Sequence, residues 1–207
     1  MPVAATSWQR AWVGCGAQTP GADLHALLLE RYDEPQRAYH TLQHLHECLA
    51  WFEQMQPFAE HPAEVELALW FHDAVYDVHA SDNEARSAAW AAEALRAAAA
   101  PADAAERVHA LVMATCHHAT PDGADAALLV DIDLAILGAE ASRFAEYEAQ
   151  IRREYAWVPE PTFREKRRAI LASFQARPFI FSTRVMRDRL EAPARANLAR
   201  AIAGSLD

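Results

Sequence analysis

Alanine outnumbers glycine 47 to 6 in this chain of 207 residues. Alanine is the best helix former, and so few glycines leave little of the left-handed backbone that hairpins and bulges use, so the composition predicts an all-α fold. A glycine-rich phosphate loop is disfavoured for the same reason. Apolar residues recur at helical spacing almost throughout, broken by prolines and polar clusters, with no alternating strand pattern. About ten helices are expected: over 8–13, 23–32, 39–55, from 62 to near 76, from 83 to 99, 103–115, 125–137, and then from 140, from 161 and from 183 to about 203. Pro57 and Pro101 follow helix ends, Asp82 and Asn83 can cap the fifth helix, and Gly138 suits the position just past the seventh. Neither a repeat nor a flexible linker is visible, which points to a single compact multi-helix domain over 1–207.

Charge is unevenly spread. The chain carries a net −10, but residues 1–140 hold 6 basic and 21 acidic side chains, while residues 141–207 hold 13 basic and 8 acidic. An acidic protein repels a phosphate backbone, so no nucleic-acid polymer is expected as a partner, although a local basic face can hold a small anion. The solvated-face reading of the basic segment rests on pairs such as Glu160 with Arg164. Cys15, Cys48 and Cys116 are odd in number and far apart, which suits reduced thiols in a cytoplasmic protein better than a disulfide frame. No run approaches the roughly 20 apolar residues of a membrane span.

The informative feature is where histidine and aspartate fall. His40 and His44 stand at i and i+4, one turn apart on one face of an expected helix start. His72 and Asp73 close an apolar helix, Leu67-Ala68-Leu69-Trp70-Phe71. Asp131 and Asp133 lie in an apolar run, Leu128 to Leu134, where a carboxylate is costly to bury without a cation or donor beside it. Taken singly, His-Asp is a common dipeptide, and either aspartate can serve as a cap or a surface group. Converging, two imidazoles and two carboxylates would make a mixed N/O site, favouring Mn, Fe, Co, Ni or Zn over Mg.

In this order, an upstream His, a His-Asp doublet and an Asp in an apolar helix resemble the HD phosphohydrolase superfamily. Within it, the chain looks like the group of predicted metal-dependent HD phosphohydrolases of unassigned substrate. The resemblance runs through Tyr39-His40 with His44, Trp70-Phe71-His72-Asp73 with Val75-Tyr76-Asp77, Asn83-Glu84 with Ser87-Ala88, and Thr115 with His118. It continues through Asp131-Ile132-Asp133-Leu134 with Leu137-Gly138, then Tyr147, Arg152, Glu154-Tyr155, Arg168 and the segment from Glu191 to Leu198.

What the resemblance implies is an HD-type helical bundle holding one divalent ion per chain through His72, Asp73, an upstream His and a distal Asp. For the upstream ligand it favours His44 over His40, and for the distal one Asp133 over Asp131, which leaves Asp131 as a supporting group. His40 would then donate a proton to the leaving oxygen while water activated at the metal attacks phosphorus, with Asp77 as a base or water-orienting group. His118 and Arg168 would contact a small phosphorylated substrate, the arginine as a phosphate clamp. The acidic segment contains every proposed ligand, and the basic one would supply an anion-facing wall. Two other functions compete: a non-catalytic module that binds metal or nucleotide, and a di-iron oxygenase, which needs more ligands. The residues leave substrate and oligomeric state open.

Overall fold

A computed structural model describes residues 2–18, 20, 22–116 and 121–204. The described residues are all-helical as expected: they form ten α-helices with short 3₁₀ turns, and no strand occurs among them. It divides into two compact units, Met1–Asp133 and Leu134–Asp207.

The first unit contains α1 (Pro2–Gly14), α2 (Ala22–Tyr32), α3 (Leu42–Met55), α4 (Pro62–Phe71), α5 (Asn83–Ala97), α6 (Ala102–Met113) and α7 (Ala124–Asp133). Helix α4 lies at its centre. Every residue from Glu64 to Phe71 is buried, and α1, α3, α5, α6 and α7 all pack on it, as a helix with no polar face requires.

Two carboxylates in this buried helix are matched by scarce cations. Arg107 binds Glu64 through Nε and Nη2, each at 2.7 Å. Glu66 accepts Arg10 Nε–H at 2.9 Å and the Ser7 hydroxyl at 2.6 Å. The Ser7 oxygen in turn accepts the Trp70 indole N–H at 3.0 Å. Losing either arginine would leave a buried charge uncompensated, at a cost of about 3–5 kcal/mol.

Helix α1 starts at Pro2, six residues before the expected start, and three boundaries near the candidate site also differ from the expected ones. Helix α3 starts at Leu42, because Thr41 takes an extended conformation and its hydroxyl accepts the Gln43 N–H at 3.3 Å, the usual N-cap arrangement. His40 therefore precedes the helix instead of standing on its first turn. Helix α4 ends at Phe71, with His72 as its C-cap. Helix α7 ends at Asp133 and tightens into 3₁₀ turns over Leu134–Gly138.

The second unit holds those turns and α8 (Ala141–Glu154), α9 (Glu160–Gln175) and α10 (Arg184–Ala203). Gly138 does not adopt the positive φ of a helix-ending glycine. It is small because α10 runs close by: a Cβ there would meet Leu190 Cβ at 2.8 Å and the Leu190 carbonyl oxygen at 3.0 Å. Asn197 on α10 ties down the same segment, its Nδ2 donating to the carbonyls of Leu137 and Ala139, both at 2.8 Å. The expected Glu160–Arg164 pair forms at 2.6 Å. No helix among the described residues is long and apolar enough to cross a membrane, and the three cysteines are free thiols.

Candidate metal centre

Three elements of the first unit converge on one point. His44 comes from the first turn of α3, His72 and Asp73 from the end of α4, and Asp133 from the end of α7. His44 Nε2 lies 3.1 Å from His72 Nε2 and 3.1 Å from Asp133 Oδ1. Asp73 Oδ2 lies 3.0 Å from His72 Nε2 and 3.5 Å from His44 Nε2. His72 Nε2 and Asp133 Oδ1 are 3.6 Å apart. Atoms bound to one ion at about 2.0–2.2 Å stand roughly 3.0–3.5 Å from one another in octahedral or tetrahedral geometry. Both imidazoles are buried, at 2% and 1% exposure.

Proton counting sharpens the geometry. His72 Nδ1 sits 2.7 Å from the Leu69 carbonyl oxygen. A carbonyl only accepts, so Nδ1 carries the proton and Nε2 of the neutral ring presents a lone pair. A metal-ligating imidazole is commonly held in this way by its other nitrogen. The Asp73 Oδ2 atom is buried and accepts no hydrogen bond among the described residues. One cation placed among His44 Nε2, His72 Nε2, Asp73 Oδ2 and Asp133 Oδ1 would be met by all four lone pairs at once.

The electrostatics agree with this picture. Burial opposes charge on His72, but the carboxylates of Asp73 and Asp133 outweigh it and lift the imidazole from 6.5 to about 9. Burial raises the Asp73 carboxyl, yet His72, His40 and His44 together hold it well below the usual carboxylate range. The pocket thus attracts positive charge, which a proton or a divalent ion can supply.

Cys48, one turn beyond His44 on α3, brings its sulfur into the same group: potential ligand atoms of His44, Cys48, His72 and Asp133 lie within 4.8 Å of one another. Its orientation is less suited to coordination than that of Asp73. The sulfur is 3.7 Å from both ring nitrogens of His44, which puts it beside the ring. An ion about 2.1 Å out along the Nε2 lone pair would stand more than about 4 Å from it. Burial, reinforced by Asp133 and Asp73, pushes the Cys48 thiol well above its ordinary value.

His40 is half-buried at the edge of this group. Its ring stacks on Tyr76 at 4.1 Å between centroids and lies 6.0 Å from the His44 ring. Asp131 is fully buried; Asp133, two residues on, reaches the imidazoles. Asp77 is exposed, and its Oδ1 accepts the His79 N–H at 2.8 Å in a local turn. Arg168 is exposed on α9 in the second unit. His118 lies outside the described residues.

Sequence reasoning passed over Tyr32 and Arg37. The buried Tyr32 hydroxyl accepts the Asp73 N–H at 3.3 Å and donates to the Trp70 carbonyl at 3.1 Å. Arg37 is buried beside it. A usable signal existed for the arginine: only 6 basic residues occur in the first 140, and one stands three positions before His40. No family model, curated protein or solved structure matches the chain.

Proposed function

We propose that the protein is an HD-type, metal-dependent phosphohydrolase acting on a small phosphorylated substrate, a phosphomonoester or a nucleotide. One divalent ion would be held by His44, His72, Asp73 and Asp133. The observation that carries this reading is that His44 Nε2, His72 Nε2, Asp73 Oδ2 and Asp133 Oδ1, brought from three elements, stand 3.0–3.6 Å apart in five of their six pairings, the separations expected of atoms bound to one ion. The mixed N/O donor set favours Mn, Fe, Co, Ni or Zn over Mg. Such an ion lowers the pKa of a coordinated water and polarises a phosphoryl oxygen.

The remaining roles belong to side chains. His72 is fixed in its tautomer by Leu69, and the Asp73 backbone by Tyr32, so both ligands are held before any ion arrives. His40, oriented by its stack on Tyr76, is placed to give a proton to the leaving oxygen. Asp77 would act as a base or water-orienting group through its second oxygen, since Oδ1 accepts the His79 N–H.

The test is to strip the purified protein with chelator, measure metal uptake, and screen phosphomonoesters and nucleotides with Mn, Co, Ni and Mg. Hydrolysis that depends on added metal and is lost in His72→Ala and Asp73→Ala is the expected result. Equal hydrolysis by parent and both variants would overturn the assignment. Metal uptake without turnover of any phosphorylated compound would favour a binding module.

A further inference from the structure

Arg37 has no exposed side-chain surface, yet its guanidinium spends most of its donors on backbone carbonyls. Nη1 donates to the Asp73 carbonyl at 2.6 Å and to the His40 carbonyl at 3.1 Å, and Nη2 to the Ala74 carbonyl at 3.2 Å. Nε–H goes to Glu34 Oε2 at 3.1 Å. The rings of Tyr32 and Tyr76 flank the cation, 5.3 and 5.5 Å from their centroids.

These three carbonyls belong to irregular backbone: residue 40 just before α3, residues 73 and 74 just after α4. Helix or sheet bonds do not serve such groups, and a buried carbonyl left without a donor is destabilising. One side chain therefore joins the segment bearing His40 to the turn bearing Asp73. The same two segments meet again where Tyr76 stacks on His40.

We propose that Arg37 is a positioning residue that sets the segment of His40 and the turn of Asp73 in register with each other. This rests on the metal-site reading above. The planar fork is what the task requires: an ammonium is a point donor on a flexible stem and cannot reach three carbonyls in two segments at once. Glu34 holds the cation from the far side without touching either segment, so it serves as a control.

The experiment is a Mn²⁺ titration of the chelator-stripped full-length protein and of Arg37→Lys, Arg37→Gln and Glu34→Gln, each checked for cooperative melting and read well below its Tm. Loosening the register should weaken Mn²⁺ binding roughly 10- to 100-fold in both Arg37 variants and leave Glu34→Gln within a few-fold of the parent. A purely structural role would lower Tm without moving affinity in the folded protein, so parent-like affinity in Arg37→Lys overturns the proposal. If the Arg37 variants do not fold, hydrogen exchange of the parent decides. Mn²⁺ should raise protection in 35–41 and 73–77 together, and protection confined to 73–77 overturns the coupling. A parent that takes up no Mn²⁺ would sink the metal-site reading itself, and this inference with it.

Discussion

The Nε2 atoms of His44 and His72 face each other at 3.1 Å. With one His72 proton directed to Leu69 on the opposite side of its ring, the two nitrogens and the carboxylates of Asp73 and Asp133 favour positive charge between them.

That relationship predicts which side chains coordinate. His44→Ala, His72→Ala and Asp133→Asn should each lose metal uptake, whereas Cys48→Ala should keep it within a few-fold. The Co²⁺-loaded parent should show no thiolate-to-cobalt charge-transfer band in the near ultraviolet. A strong band that vanishes in Cys48→Ala would make the sulfur a ligand and displace Asp73 from the set.

The ion-free protein should lose stability as pH rises. His72 is lifted from 6.5 to about 9 when folded, so its protonated form contributes stability that is complete below pH 6.5 and is lost as pH climbs through 9. Chelated protein should melt roughly 5–10 °C lower at pH 9 than at pH 6.5. Metal affinity runs the other way, because protons compete with the ion for the same lone pairs. Saturating Mn²⁺ should therefore flatten the profile, and a chelated Tm that rises across this window would contradict the charge balance.

His40 should separate binding from chemistry. Its ring is anchored on Tyr76 and lies outside the four-atom cluster, so His40→Ala should retain the metal while slowing hydrolysis about 10²- to 10⁴-fold, the usual contribution of a general acid. Loss of metal together with rate would place His40 among the ligands instead.

Two backbone positions offer checks on the fold. Gly138→Ala would drive a methyl group into Leu190 and should cost about 1–3 kcal/mol. Ala99 follows the end of α5 at φ 57°, a left-handed conformation that alanine pays for and glycine does not. Ala99→Gly should stabilise the protein by up to about 1 kcal/mol. Thermal or denaturant unfolding reads both, and a sign reversed in either would refute the local geometry.

Much of this protein was legible in its residues one by one. Helical periodicity, alanine content and proline placement reflect local backbone preference, so they located the helices. An apolar stretch such as Leu67 to Phe71 cannot avoid burial, so the His72-Asp73 pair had to emerge where a core helix ends. Other features were out of reach because they depend on neighbours distant in sequence. Leu190 made Gly138 small for a reason no turn rule contains, whereas the Thr41 cap that leaves His40 off α3 is a local signal, two residues from the Gln43 N–H it accepts. Arg37 shows the limit most plainly: its place three residues before His40 marks it out, but only the fold closes its fork on the carbonyls of residues 40, 73 and 74. The sequence alone determined which residue types were available to hold a cation and which helices would carry them. Tertiary structure alone brought His44 and Asp133, which the resemblance had favoured over His40 and Asp131, to within 3.6 Å of His72, because that meeting is set by how α3, α4 and α7 pack around a shared core.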